Sequence, residues 1–146
     1  MSGVPADFPS AYRVSDPVDP FETATGNFYE PIDHGDDPRV VALVEEKHCN
    51  SSLVTHGGFL MTMADLTLCM MARRGLVDER AITVSLDCHF ISAGKVGDFL
   101  EARAVVTRQG GSLVFVRGEI KTGDRVLLTA NAVSYTHLTL PTSQYV

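Results

Sequence analysis

Gly57-Gly58-Phe59-Leu60-Met61-Thr62-Met63-Ala64-Asp65-Leu66-Thr67-Leu68-Cys69-Met70-Met71-Ala72 is the stretch whose reading decides the fold. It is rich in Leu, Met and Ala, which are strong helix formers, and it runs into Arg73-Arg74-Gly75. Basic side chains suit the negative end of a helix, and glycine is a natural stop. A helix over these residues would be roughly 24 Å long. It carries one charge, Asp65, and is apolar nearly all round, so it should be buried on most sides. C-terminal to this helix the chain shows strand pattern only. Ile82, Val84, Leu86, Cys88 and Phe90 alternate with Thr83, Ser85, Asp87 and His89, a period of two with one dry face. Segments 99–108, 112–121 and 125–134 read as three further strands. Gln109-Gly110-Gly111 and Thr122-Gly123-Asp124 supply the glycines that tight hairpins need. Before the helix, 21–30 and 40–47 read as strands, with a turn at Asp33–Pro38. Two strands, one buried helix and four antiparallel strands make an α+β domain, a sheet wrapped around a single central helix.

The chain has 146 residues, of which 45% are hydrophobic and 21% charged. That suits one domain with a core large enough to fold without disulfides or a structural metal. No apolar run reaches the roughly 20 residues of a membrane span. The N-terminus has no basic segment leading into an apolar one, so no secretory signal is expected. Cys49, Cys69 and Cys88 are widely spaced, without a C-x-x-C pair, which points to free thiols in a reducing cytoplasm. Net charge is −6 with scattered basic residues, which disfavours a nucleic-acid partner. Residues 1–20, with four prolines, read as an irregular arm over the surface of a domain spanning 21–134. The tail, residues 135–146, departs in style from the rest. It reads equally as translated adaptor sequence or as a strand extension, and no function is assigned to it.

Asp65 is the strongest chemical signal, because a carboxylate is costly to bury without partners. At 100° per residue it shares a narrow stripe of small or polar side chains with Gly58, Thr62 and Cys69. Such a stripe marks a cleft, a subunit interface or simply a wet face. His56-Gly57-Gly58 opens the helix, preceded by Asn50 and Thr55. Unpaired N–H groups there can stabilise an anion or a polarised carbonyl, and glycine lets a substrate approach the backbone. The same glycines could equally serve tight packing, with His56 as a cap. Cys49 with His56 lacks a third orienting group and is a weak nucleophile candidate. His34 and His89 read as isolated surface residues. Met61, Met63, Met70 and Met71 read as core, or as lining for an acyl tunnel.

Taken together, Asn50-x5-His56-Gly57-Gly58-x6-Asp65 resembles the hallmark of hotdog-fold acyl-CoA thioesterases, the PaaI/4-hydroxybenzoyl-CoA thioesterase-like family. Phe90-Ile91-Ser92-Ala93-Gly94-Lys95-Val96-Gly97-Asp98 resembles that family's strand and turn after the helix. The sequence differs in having Gly94 where Pro-Ala is common and Cys49-Asn50-Ser51-Ser52-Leu53 where Asn-x-x-Gly is common. The resemblance implies a hotdog fold and hydrolysis of an acyl or aryl thioester of coenzyme A, with no cofactor or metal beyond the coenzyme A of the substrate. It implies Asp65 as general base or nucleophile, the Gly57 N–H polarising the carbonyl, and Asn50 orienting water or carbonyl. His56 would support the loop or hydrogen-bond near the thioester, and Thr83 would position water. Gly58 would admit the substrate. Lys95, Arg108, Arg117 and Lys121 are candidates for the coenzyme phosphates or, more simply, ordinary solvated strand charges. Active sites in this family lie at a dimer interface, so a homodimer is implied, with a dimer of dimers (homotetramer) as an extension. Two alternatives remain on the same fold: an acyl-thioester hydratase, and an acyl-CoA-binding sensor without hydrolysis.

Overall fold

In the computed structural model, which describes residues 3–74, 76 and 80–136, seven antiparallel strands form one sheet that curls around a long helix. The strands are β1 (Tyr12–Val14), β2 (Tyr29–Pro31), β3 (Val40–Leu43), β4 (Ile82–Phe90), β5 (Phe99–Gln109), β6 (Leu113–Thr122) and β7 (Arg125–Tyr135). Their spatial order is β1-β2-β3-β5-β6-β7-β4. Two helices complete the fold, α1 (Pro20–Thr25) and α2 (Gly57–Ala72). The long helix has the bounds expected from the sequence. Gly75, read as its stop, and residues 137–146 of the tail lie outside the described residues.

Phe59, Leu60, Met63, Ala64, Leu68 and Ala72 of α2 pack onto Leu100, Ala102, Val114, Val116, Ile120 and Leu128 from the inner face of the sheet. At roughly 1.5–3 kcal/mol for each large apolar side chain taken from water, this layer is the main source of stability. The hairpin at Gly123 turns with φ +57°, a left-handed backbone that glycine adopts without strain.

Three expectations are corrected. Residues 21–30 do not form a strand: Pro20–Thr25 is helical, because the Asp19 side chain accepts from Glu22 N at 2.9 Å and Pro20 stands at the first helical position. Only Tyr29–Pro31 of that stretch is extended. The strand expected over 40–47 stops at Leu43, and Glu46–His48 is a 3-10 turn that brings the His48 ring onto Phe59 at 4.1 Å. Part of the supposed irregular arm is ordered sheet. Tyr12–Val14 pairs with Tyr29–Pro31, and Phe8 packs edge-on against Tyr29 and Phe99.

The fourth difference matters most for the site. β4 does not keep one dry face, since Val84 and Phe90 are 61% and 53% exposed. Opposite Leu128, Ala130 and Ala132 stand Phe90, Cys88 and Leu86, but Ser134 stands opposite Thr83 rather than Val84. Val84 is therefore an extra residue, a bulge. Directly opposed residues share a face, and Ser134 is fully buried. The bulge thus turns Thr83 inward toward α2, where strict alternation would have pointed it to solvent.

Candidate active site

Asp65 sits midway along α2, half-buried. Thr83 Oγ1 donates to its Oδ1 across the gap between helix and edge strand. Cys69, one helical turn on, places its sulfur 3.2 Å from Thr83 Oγ1 and 3.9 Å from Asp65 Oδ1. Asp65 Oδ2 has no hydrogen-bond partner among the described residues. The negative charge reaches well beyond these contacts. Burial, then Asp65, push the Cys69 thiol up; burial, then Asp87 and Asp65, push up Cys88. Glu22 is raised to about 7 by burial first, then by Asp19, Asp16 and Asp65.

At the other end of the helix, His56 is the N-cap, and its Nδ1 accepts from Gly58 N at 2.8 Å. That bond fixes the neutral tautomer with the proton on Nε2. Gly57 N–H has no hydrogen-bond partner among the described residues, as expected of the first turn of a helix. It lines a cleft of about 310 Å³ with Thr55, Leu60, Phe90, Ser92 and Ala93. A side chain at 57 would meet the Phe90 ring at 3.3 Å, so glycine keeps the approach to this N–H open. The cleft wall is fastened to the helix start by Thr55 and Gly94. Thr55 N donates to Gly94 O at 2.9 Å, and Gly94 N donates to Thr55 Oγ1 at 3.1 Å. A Cβ at Gly94 would lie 2.9 Å from both Leu127 Cδ2 and Thr55 Cγ2, which is the local reason for glycine in this loop.

The structure brings Asp65, Thr83 and Cys69 together, and separately His56, Gly57 and Gly58. It does not bring the two groups together within one chain. Gly57 and Asp65 are eight residues apart on one helix, about 12 Å along its axis. Asn50 organises the loop before the helix: its Oδ1 accepts from Ser52 N at 2.9 Å and Val54 N at 3.4 Å, while Leu53 takes a φ of +59°. Of the basic candidates, Lys95 is exposed on the loop that bridges to Val54, at the helix-start end. Arg108 is exposed on β5 beyond its register shift. Arg117 and Lys121 alternate with buried Val116 and Ile120 on β6, hence on the face away from α2, and Lys121 pairs with Glu119 at 3.4 Å.

Sequence reasoning passed over Arg125. Its guanidinium donates to Ala93 O and lies 3.4 Å from Ser92 Oγ, on the wall of the Gly57 cleft, anchored by Asp98 at 3.5 Å. Nothing local marks it, since it is the first residue of a strand far along the chain. Cys69 was visible only as part of the polar stripe.

The sequence profile of the thioesterase superfamily matches residues 54–129. PA0474 of Pseudomonas aeruginosa, named as a provisional esterase, is 31% identical over 134 residues, covering 91% of this chain and 97% of that protein. The chain belongs to the thioesterase superfamily. It is a thioesterase by that membership, and the matched segment runs from the loop before α2 into β7, taking in both halves of the candidate site. Among solved structures, the conserved protein PA5202 of Pseudomonas aeruginosa superposes with a TM-score of 0.73 at 18% identity, covering 82% of this chain and 94% of that one. A hypothetical thioesterase of Streptococcus pneumoniae, solved with coenzyme A, has a TM-score of 0.64 at 20% identity, covering 68% and 80%. These likenesses carry the fold, and the hotdog architecture expected from the sequence is the one observed. No described helix is long and apolar enough to cross a membrane.

Proposed function

We propose that the protein hydrolyses acyl-CoA thioesters to the free acid and coenzyme A, at sites shared between two copies of the chain. The observation that carries this reading is the inward-turned Thr83 hydroxyl on Asp65 Oδ1, which leaves Oδ2 free in an otherwise uncharged helix. An open oxygen on a positioned carboxylate can take a proton from water, or attack the carbonyl itself. The Gly57 N–H, at the positive end of the helix dipole, faces the negative charge that develops on the carbonyl oxygen. The tetrahedral intermediate then expels the coenzyme thiolate, a far better leaving group than an alkoxide, so no strong acid is needed on that side. After attack by water this gives the free acid, and after attack by the carboxylate it leaves an acyl–Asp65 anhydride that a water then cleaves. Coenzyme A as the carrier is supported by its presence in the Streptococcus pneumoniae relative.

Two copies are needed because about 12 Å of helix separates the donor from the acid. An open sheet edge supports such pairing. β4 is nine residues long and pairs with β7 alone, leaving its other edge open among the described strands. Val84 and Phe90 on it and Ile91 beside it are 61%, 53% and 58% exposed. A long edge strand open on one side and carrying exposed apolar side chains is a template for a second strand, and twofold pairing there would bring each copy's Asp65 toward its mate's Gly57.

Thiol release from a panel of short, long and aromatic CoA thioesters tests the activity. Asp65→Asn should lower kcat by about 10²-fold or more, on the order of a general base's contribution, with an unchanged far-ultraviolet spectrum. Activity within tenfold of wild type would remove Asp65 from the mechanism. Loss of the double-bond absorbance of a crotonyl thioester without thiol release would replace hydrolysis by hydration. Tight acyl-CoA binding without turnover would replace it by sensing.

A further inference from the structure

We propose that Cys69 is a positioning residue for the reaction: its thiol donates to Thr83 Oγ1, commits the single Thr83 proton to Asp65 Oδ1, and thereby reserves Asp65 Oδ2 for chemistry. The role rests on the reading of Asp65 as the reacting carboxylate and adds a residue to it.

A threonine hydroxyl has one proton and two lone pairs. Thr83 gives that proton to Asp65 Oδ1, so the 3.2 Å contact with Cys69 is a hydrogen bond only with the thiol donating, a partner closer than the 3.9 Å at which the same thiol approaches Asp65 Oδ1. The thiol is suited to that role because burial and the adjacent carboxylate hold it in the protonated form. With Cys69 absent, the hydroxyl could rotate, and a water or the substrate could compete for its lone pairs. An independent observation points to the same place. Ser134 is fully buried opposite Thr83, and its Oγ has no hydrogen-bond partner among the described residues. A hydroxyl buried without a partner is costly to keep. Here it extends the polar lining behind Asp65, so that four side chains from α2, β4 and β7 make a polar cluster in a region that the core would otherwise keep apolar.

A thiol that only filled space would affect stability, not the split between kcat and KM. The test therefore uses the full-length protein with Cys69→Ala, Cys69→Ser and Asp65→Asn assayed on one acyl-CoA, alongside thermal unfolding. Cys69→Ala should lower kcat about three- to tenfold, on the scale of one hydrogen bond, with KM within twofold of wild type. Cys69→Ser, which restores a donor, should recover at least half of the lost kcat. A Cys69→Ala enzyme with kcat within twofold of wild type overturns the inference, as does a Cys69→Ser enzyme no better than Cys69→Ala. If Cys69→Ala behaves as wild type while Asp65→Asn is inactive, this inference falls and the thioesterase mechanism stands. If Asp65→Asn is active, both fall. Should Cys69→Ala fail to fold, Cys69→Ser alone decides: it must keep KM within twofold and at least a third of wild-type kcat.

Discussion

Mixing two inactive variants should restore activity. Asp65→Asn removes the acid but leaves the Gly57 N–H. Gly57→Pro removes the N–H but leaves the acid, and proline is tolerated at the first helical position because that N–H is outside the helical ladder. His56, with φ −67° and ψ 136°, already has the extended backbone that a residue before proline requires. The ring would press on Phe90, where even a Cβ lies at 3.3 Å, so the phenyl edge has to give by a few tenths of an ångström. Each variant alone should be nearly inactive. If donor and acid come from different copies, a heterodimer has one site with both groups intact and one with neither. Random exchange of equal amounts gives about half heterodimers, each with one working site of two, hence about a quarter of wild-type activity. If both groups acted within one chain, no mixed species would contain an intact site. Differently tagged variants would be mixed, allowed to exchange, and assayed for thiol release, with heterodimers quantified by tandem affinity purification. Purified heterodimer without activity, or a wild type that is fully active as a monomer by sedimentation, would refute the shared site.

Two further outcomes are expected from local features. Glu22, raised to about 7 from its ordinary 4.5, binds a proton in the folded chain that the unfolded chain releases between those values. Folding stability should therefore fall as pH rises from about 4.5 to 7 and level off above. Glu22→Gln should flatten that slope, raising the melting temperature at pH 8 by the equivalent of about 1 kcal/mol, after allowance for solvent screening, and changing little at pH 5. An unchanged slope would show that neither burial nor the neighbouring carboxylates raise Glu22 in the folded chain. Leu53, at φ +59° and 59% exposed, holds a left-handed backbone that costs a side-chain-bearing residue roughly 1–2 kcal/mol. Leu53→Gly should stabilise the fold by about 1 kcal/mol in urea unfolding, and a loss of stability would mean the leucine makes contacts that outweigh its backbone.

The residues that sit on one regular element were legible in the sequence. The helix 57–72, its lone acid and its glycine start needed only propensity and periodicity, since each depends on neighbours within a turn or two. α1 was also within reach. Asp19 followed by Pro20 and, three residues after the aspartate, Glu22 is a helix-start signal, while the aromatic and threonine residues of the stretch favour a strand. Thr83 was reached through the family resemblance and not through periodicity. Its strand read as strictly alternating, which would have turned its hydroxyl away from Asp65, and the extra residue at Val84 is defined only by pairing with β7. Asn50 likewise reads as a polar site residue, yet its carbonyl oxygen is taken up by the loop backbone.

By itself, the chain's order of residues determined that a long apolar helix carrying a single carboxylate would be enclosed by antiparallel hairpins. Those features come from short-range backbone preferences and from the cost of leaving apolar surface in water. Tertiary structure decided which atoms meet that carboxylate. A bulge, a buried serine on the neighbouring strand and an arginine on the cleft wall are set by ladder register across distant segments. Register is a property of the packed sheet, and no local stretch of sequence encodes it.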